Sequence, residues 1–486
     1  MTGLRLRAPL LVPGWAAVPA TAQPDFAAIR AEFGVPEEFP PEVTAEAVRA
    51  AADPPLPELD ATDVPLVTLD PLGSRDLDQA VHLAARGNGF RVTYAIADVG
   101  AFVTLGSARD GAARRRGPTL YSPERRIPLH PPELSEGAAS LLPGQLRAAA
   151  VWTLDLDGDA EPVDVRLRRA RVRSRAQLDY ASVQGQAGAG TLPEPLALLP
   201  RLGALLQARA LERGAIELGT PEQEVIASAD GGWTLALRGD LPVEAWNAQI
   251  SLLTGRCAAA LMLEGGVGIL RTLPPAPDHD VAALRRLAPA LGVEWPAGSS
   301  PGTVIAGLDP ARPDHAAFLE EAASLLRGAA YTPFDGPPPA QPGHGGVGAP
   351  YAHVTAPLRR LVDRFGTEVC LALSAGSEPA SELRAALPQL PALMAASDKR
   401  THEVERAVID ATEAWVLRGR GGQEFDAVVV DAQDGRGTVV LDDPAVRGRC
   451  TGEGLIPGTR TRVRLERADV ATRTVRFVLD GTGSPA

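Results

Sequence analysis

The run of residues from 64 to 81 restricts what this chain can fold into more than any other stretch. Residues 64–69 are mostly apolar and predict a short buried strand, which Pro71 and Gly73 then end. Three carboxylates follow within a few positions: Asp70, Asp76 and Asp78. Any fold of this run must therefore hold several negative charges close to the end of one strand.

These acids have two interpretations. Asp76 and Asp78 share a face in extended chain, and carboxylates crowded this closely repel one another unless a cation binds them. Oxygen ligands suit a hard ion such as Mg²⁺ or Mn²⁺, which keeps water molecules for a substrate to displace. The alternative is a polar turn in which the aspartates accept hydrogen bonds from their own backbone.

The composition is that of a soluble globular protein. Apolar residues make up 45% of the 486 residues and charged residues 22%, which are ordinary values for such a protein. The net charge of −12 does not exclude a nucleic-acid partner, because phosphate binding depends on local positive charge. We also expect no membrane partner, since no run is long and apolar enough to span one.

Cysteine usage and the N-terminal sequence predict a cytoplasmic protein. The three cysteines are an odd number without metal-ligand spacing, which favours a reducing compartment. Residues 4–23 superficially resemble a signal peptide, but Pro13 and Pro19 interrupt the apolar part. We therefore expect no secretion signal.

The three acids belong to a longer motif. Asp-x5-Asp-x-Asp is followed by Tyr94-Ala-Ile-Ala-Asp-Val-Gly-Ala-Phe102, and these segments together resemble the catalytic RNB domain of the ribonuclease II and ribonuclease R family. That family degrades RNA hydrolytically from the 3′ end. Its motif carries four acidic residues, and Gln79 stands at the fourth position here. The resemblance implies that Mg²⁺, or Mn²⁺, is bound by Asp70, Asp76, Asp78 and Gln79, and that Asp78 is also catalytic.

A second motif lies near residue 355. The run Tyr351-Ala-His-Val-Thr-Ala-Pro-Leu-Arg-Arg-Leu-Val-Asp363 resembles the family's Y-T-H-F-T-S-P-I-R-R-Y-P-D. Thr355 is expected to cap a helix over residues 358–373, with Arg359 and Arg360 at its start. The resemblance assigns Arg359 to the scissile phosphate as a catalytic, RNA-binding residue. It places Arg360 in the same RNA-binding segment, with a more structural part for Arg360 and Asp363.

Three further residues match the family individually. Tyr121 matches the aromatic on which the 3′-terminal base stacks, and Tyr180 matches a tyrosine associated with choosing RNA over DNA. A buried core tyrosine is the alternative for both. Glu405 matches an acid near the active site and is assigned a catalytic part, with a solvated acid on a helix face as the alternative. The family's second stacking aromatic has no counterpart at residues 213–221.

The expected fold class is α+β. We expect a small N-terminal helical region over residues 1–50, without the family's cold-shock barrels. An RNB domain with a mixed sheet surrounded by helices is expected over 51–418, and a C-terminal OB-fold that binds RNA over 419–486. Residues 185–190 are expected to be a flexible linker. Two arginine series alternate along predicted strands, so that each lies on one face: Arg169, Arg171, Arg173 and Arg175, and Arg460, Arg462 and Arg464. For the first series the interpretations are a solvated strand face and a basic face beside the RNA.

The expected function is processive 3′→5′ hydrolysis of single-stranded RNA to nucleoside 5′-monophosphates by a monomer. The Gly-x-Gly-x-x-Gly at residues 343–348 follows a Pro-rich loop and not a strand, so we expect no dinucleotide cofactor. One alternative is an RNA-binding protein whose nuclease centre has decayed, which Gln79 supports. Another is a phosphodiesterase that acts on DNA or small nucleotides.

Overall fold

The computed structural model describes residues 23–228 and 232–480. Most of the signal-like run at residues 4–23 lies outside these ranges. The helices are α1 Phe26–Glu32, α2 Pro41–Ala52, α3 Val99–Phe102, α4 Ala108–Arg116, α5 Tyr180–Ala189, α6 Leu199–Glu212, α7 Pro242–Gly265, α8 Asp278–Leu287, α9 Pro301–Ala306, α10 Pro313–Ala322, α11 Leu361–Ser374, α12 Ser381–Ala386 and α13 Leu390–Leu417.

The strands fall into one large sheet, several hairpins and a barrel. They are β1 Val67–Asp70, β2 Gln79–Arg86, β3 Gly89–Ala97, β4 Leu120–Ser122, β5 Arg125–Ile127, β6 Arg147–Leu156, β7 Pro162–Val172, β8 Ala176–Asp179, β9 Glu222–Ala227, β10 Trp233–Arg238, β11 Val267–Thr272, β12 Ala330–Asp335, β13 Gly343–His344, β14 Ala349–Pro350, β15 Glu424–Gln433, β16 Arg436–Leu441, β17 Arg447–Thr451, β18 Arg460–Asp469 and β19 Thr474–Leu479. None of the helices described is long and apolar enough to cross a membrane.

The large sheet is mixed and is covered on both faces. Its strand order is β7-β6-β3-β2-β1-β8, with β1 and β8 parallel and the other neighbours antiparallel. Along β3, Tyr94 and Ile96 pack in a core with α6, α7 and α11, while Ala95 and Ala97 pack in a second core with α2 and α3. A strand buried on both faces is almost wholly apolar, and β3 fits that rule.

The C-terminal barrel is closed and has five strands in the order β15-β16-β17-β19-β18. The α+β class, the mixed sheet among helices and the barrel are thus confirmed. The strand β17 starts with Arg-Gly-Arg and has no apolar alternation by which its sequence would predict a strand. Inward residues such as Val463 and Phe477 share one hydrophobic cluster with α13 and α1, so the barrel is packed onto the rest of the chain.

Two local expectations were wrong. Residues 185–190 are not a linker, because α5 begins at the Asp179 N-cap, buries Val183 and ends at Gly190 in the left-handed conformation. The second motif also starts its helix later than expected. Thr355 caps nothing; α11 begins at Leu361, and the preceding residues form a turn. The expected domain boundaries remain predictions.

Candidate active site

Asp70 lies where β1 ends, beside the last residue of β8. The parallel pairing of these strands sets Asp70 opposite Asp179. Oδ2 of Asp70 is buried and has no hydrogen-bond partner among the described residues. Burial and the neighbouring charge of Asp76 raise the pKa of Asp70 to about 7, although Arg359 acts in the opposite direction. An acid without a partner for its charge at this depth is a strong candidate for binding a cation or a proton.

Asp78 is held by the second motif. Its Oδ1 accepts a 2.7 Å hydrogen bond from the backbone N–H of Leu358, and its Oδ2 lies 3.4 Å from Nε of Arg359. Burial raises the pKa of Asp78 well above its ordinary value, against the lowering effect of Arg359. Oδ2 makes no hydrogen bond within the described part of the chain. One carboxylate oxygen of Asp78 therefore fixes the loop. The other lies beside Arg359 and can still accept a hydrogen bond or bind a cation.

Asp76 binds an arginine that the sequence did not single out. Nη1 of Arg126 donates a hydrogen bond to Asp76, and Nη2 lies 2.5 Å from Oε1 of Glu136. Burial raises the pKa of Asp76, and Arg126 opposes that effect. Arg126 is the cross-strand partner of Tyr121 in the hairpin of β4 and β5. No local sequence pattern pointed to Arg126, because its contact with Asp76 joins residues fifty positions apart.

A buried serine fixes the loop between the acids. The hydroxyl of Ser140 accepts the backbone N–H of Leu77 at 2.9 Å and donates to the backbone carbonyl of Arg75 at 2.6 Å. These two positions flank Asp76 and precede Asp78. The spacing of the acids is thus set by a contact across more than sixty residues of sequence.

The two arginines of the second motif have different environments. The side chain of Arg359 is 46% exposed, although it lies beside a buried Asp78. Arg360 bonds the fully buried Asp363 through two nitrogens, one of them at 2.7 Å, and Asp363 also accepts the N–H of Ala356 at 2.8 Å. Arg359 can therefore reach a ligand, whereas Arg360 and Asp363 hold the turn that presents it.

Gln79 uses its amide to join the sheet to the second motif. Its Oε1 accepts a 2.7 Å hydrogen bond from the hydroxyl of Tyr94, which also contacts Oγ of Ser251 at 2.8 Å. Its Nε2 donates to the backbone carbonyl of Thr355 at 2.6 Å. The amide oxygen expected to bind metal thus already has a donor.

The remaining predicted residues are distributed around these acids. Tyr121 is half-buried, and its pKa is raised by burial and by Asp76. Tyr180 opens α5 directly after β8, and its hydroxyl accepts a 3.3 Å hydrogen bond from Nδ2 of Asn247. Glu405 is buried on α13, so it is not a solvated acid on a helix face. The functional parts of all three stay predictions.

The acids fit a hard cation in part. The two buried, unpartnered oxygens of Asp70 and Asp78 are the donors that such an ion binds. Asp76, however, is engaged by Arg126, and within residues 23–228 and 232–480 no three His, Cys, Asp or Glu side chains form a group that could hold a metal ion. The residues that fit are therefore Asp70 and Asp78. Asp76 would join them only by exchanging its arginine.

The predicted basic faces are partly neutralised by ion pairs. Arg169 bonds Asp98 at 2.8 Å, and Arg171 bonds Asp60 at 2.9 Å. In the barrel, Arg460 pairs with Asp442. Arg462 lies near two acids, Glu424 and Asp426. The remaining members have no ion-pair partner among the described residues: Arg173 and Arg175, which follow the end of β7, and Arg464 on β18.

A cavity of about 1090 Å³ lies where the barrel meets α10, α13 and the hairpin of β9 and β10. Two exposed barrel arginines on its wall, Arg449 and Arg476, are register neighbours on β17 and β19. Neither has an ion-pair partner among the residues that the structure describes. These two strands therefore carry free positive charge, in addition to the exposed Arg464 on the face predicted from β18.

Comparisons with known proteins agree with this architecture. The family model described as the RNB domain matches residues 59–365, and the RNase II-type exonuclease C-terminal S1 domain matches residues 423–480. The chain therefore belongs to the RNB family, and the expectation drawn from the two motifs is confirmed.

Individual relatives are more distant. Ribonuclease R of Escherichia coli is 26% identical over 507 residues, which cover 92% of this chain and 59% of the relative. The structure of Mycoplasma genitalium RNase R in complex with ribose methylated single-stranded RNA has a TM-score of 0.83 at 19% identity, over 94% of this chain and 77% of that one. Yeast Ssd1, described as a pseudonuclease, has a TM-score of 0.67 at 16% identity, over 86% and 53%.

The chain spans only 39% to 61% of the length of the first curated relatives that it matches. At such identities the two solved structures support the fold alone. The fold is thus shared by proteins named as nucleases and by one named as a pseudonuclease, so the activity must be argued from the site.

Proposed function

We propose that this chain is an exoribonuclease that hydrolyses single-stranded RNA processively from the 3′ end and releases nucleoside 5′-monophosphates. The observation that carries the proposal is the pair of buried oxygens on Asp70 and Asp78 that accept no hydrogen bond from the described residues, beside the accessible guanidinium of Arg359. Membership of the RNB family supports the reaction class. The chemistry of these groups suits a substrate that brings negative charge to them.

Each group has a part that its surroundings support. Arg359 is exposed enough to donate to phosphate oxygens and to stabilise charge that develops on them. Oδ2 of Asp78 would orient the water whose oxygen forms the bond to phosphorus, as the bond to the 3′ oxygen of the preceding nucleotide breaks. Tyr121 would stack on the terminal base, a contact typically worth about 1–3 kcal/mol.

A divalent cation held by Asp70 and Asp78 would lower the pKa of a bound water and neutralise phosphate charge. Mg²⁺ is the ion we propose, with Mn²⁺ as a substitute, because the available donors are oxygens. The raised pKa values of both acids support this assignment. Two buried carboxylates close together are costly unless protons or cations neutralise them, and Arg359 lies beside only one of them, Asp78.

The test is the substitution Asp78→Asn. Asparagine keeps the oxygen that accepts the N–H of Leu358, so the loop should survive while the charge is lost. We expect single-turnover degradation of labelled oligoadenylate in Mg²⁺ to fall by at least about a hundredfold. Binding of the same RNA in chelator should change less than about threefold, because it depends on phosphate and stacking contacts elsewhere.

The matched control is Asp179→Asn, which removes a carboxylate from the neighbouring strand but outside the acid cluster. Near-wild-type turnover by Asp78→Asn would remove Asp78 from the mechanism. Degradation of DNA as fast as RNA of the same sequence would instead favour a phosphodiesterase of broader specificity.

A second candidate is an RNA-binding protein without nuclease activity. Gln79 favours it, because the family motif has an acid at that position, and the similar fold of a protein described as a pseudonuclease shows that this architecture occurs under that description. Tight RNA binding by the wild-type chain without any turnover in Mg²⁺ or Mn²⁺ would establish this candidate.

A further inference from the structure

We infer that Arg30, in the N-terminal helix α1, is a positioning residue that holds the site hairpin, defined here as β4 and β5. Its kinetic consequences rest on the proposed function, whereas its structural consequence does not. Arg30 is 2% exposed although it carries a charge. A buried guanidinium of this kind is retained only where its partners are organised around it.

The site hairpin needs support from outside itself. Its strands are three residues each and form an isolated two-stranded sheet, an element that is only marginally stable alone. Yet one cross-strand pair in it contains both Tyr121 and Arg126. Small rotations of the hairpin would therefore move the proposed stacking residue and the partner of Asp76 together.

Arg30 fixes the turn of this hairpin. Its Nη1 donates a 2.9 Å hydrogen bond to Oγ of Ser122 and a second one to the carboxylate of Glu124. The hydroxyl of Ser122 in turn donates to the other oxygen of Glu124 at 2.6 Å. The contact joins residues that are more than ninety positions apart in sequence.

The same guanidinium reaches the segment that follows α1. Nε of Arg30 donates a 2.7 Å hydrogen bond to Oε1 of Glu37, and Oε2 of Glu37 accepts a 2.8 Å hydrogen bond from Arg125 of β5. Two carboxylates therefore share one buried cation. Without Arg30 they would remain close to each other with only the exposed Arg125 to compensate.

Apolar contacts keep the hairpin in place, and bonds from Arg126 to Asp76 and from the N–H of Thr119 to the carbonyl of Arg359 hold its strands, but not the turn that Arg30 contacts. Phe26 and Ile29 of α1 belong to the same hydrophobic cluster as Leu120 and Ile127 of the hairpin. Such contacts are not directional, whereas the hydrogen bonds of Arg30 fix distances and angles. Replacing Arg30 by glutamine should thus loosen the hairpin without detaching it.

The experiment compares Arg30→Gln, Arg30→Lys and Ser122→Ala with the control Arg473→Gln. Arg473 pairs with Glu32 of the same helix but ties it to the barrel. We expect backbone amides of residues 120–127 to exchange hydrogen about tenfold faster in Arg30→Gln, as the loss of one charge-assisted hydrogen bond predicts. Arg473→Gln should leave them unchanged. Lysine should give an intermediate rate, because its single nitrogen keeps the charge but cannot occupy the positions of both Nε and Nη1, which bind acceptors in two different segments.

Kinetics provide the second measurement. We expect Arg30→Gln to raise KM for short oligoadenylates about tenfold, with a smaller change in kcat, and to lengthen the limit product as Tyr121→Ala should. The double variant with Tyr121→Ala should give the same limit product as Tyr121→Ala alone, because Arg30 acts through that residue.

Unchanged exchange of the hairpin amides in Arg30→Gln would overturn the inference, whether or not the wild-type chain degrades RNA. Faster exchange together with wild-type KM and limit product in an active enzyme would overturn the positioning role. If Arg30→Gln fails to fold, Ser122→Ala decides by the same measurements. A wild-type chain without nuclease activity would contradict the proposed function. Hydrogen exchange of the hairpin amides would still decide whether Arg30 holds the hairpin.

Discussion

Replacing Asp70 by asparagine should change how the stability of the protein depends on pH. Burial raises the pKa of Asp70 to about 7, whereas an unfolded chain gives about 3.9. At about 1.4 kcal/mol per unit, ionising Asp70 in the folded protein costs about 4 kcal/mol. Stability from the protonated acid is fully present below about pH 4 and is lost as the pH rises to about 7.

The asparagine variant has no such loss. We would measure the unfolding free energy of both proteins by urea denaturation in chelator. Between pH 4 and pH 8, the difference between variant and wild type should shift by about 3–4 kcal/mol in favour of the variant. Adding Mg²⁺ at pH 8 should stabilise the wild type and not the variant, because a bound cation compensates the buried charge. Activity should be lost at every pH.

Asp179→Asn is the control for this comparison. Asp179 lies opposite Asp70 in the sheet, but hydrogen bonds from Ser182 lower the pKa of Asp179, so it stays ionised over this range. The unfolding free energy of Asp179→Asn should change with pH as that of the wild type does from pH 5 to pH 8. If the unfolding free energy of Asp70→Asn also shows the pH dependence of the wild type, within about 0.5 kcal/mol, burial does not raise the pKa of Asp70.

Three other substitutions test the site and its surroundings. Tyr121→Ala should lengthen the limit product of RNA degradation, read on a sequencing gel, and an unchanged product would exclude terminal stacking on Tyr121. Replacing both Arg449 and Arg476 by glutamine should lower the slope of log affinity against log salt for single-stranded RNA by about 1.4, while Arg460→Gln, already paired with Asp442, should not. Gln79→Glu should reduce the unfolding free energy by about 1–3 kcal/mol without raising nuclease activity. A gain in activity would show that the site needs a negative charge at position 79.

Local sequence pattern was sufficient for much of the fold and for part of the site. The strand that ends at Asp70 and the C-terminal barrel follow from apolar pattern and turn residues, which act over a few positions. Arg126 was missed because its contact with Asp76 crosses fifty positions and nothing near it in sequence specifies a partner. The same holds for Arg30, whose partner lies still further along the chain.

The start of α11 shows how a tertiary contact overrides a local preference. Thr355 followed by a proline two positions later is a typical helix start. In the folded chain, however, Asp363 is fully buried and takes both Arg360 and the N–H of Ala356. Because that buried pair must be satisfied, the residues before Leu361 form a turn, and this turn brings the N–H of Leu358 to Asp78.

At Gln79, too, tertiary contacts change the interpretation that the sequence suggests. In sequence, an amide at the fourth acidic position suggests a weakened metal site, and the decayed-nuclease interpretation rests on it. In the structure, the amide donates to the carbonyl of Thr355 while it accepts from Tyr94, and a carboxylate could make only the second of these bonds. Its donated bond ties β2 to the motif that carries Arg359. The substitution therefore exchanges charge for a link between the acids and the arginine, which is a reason for glutamine at this position that does not require loss of activity.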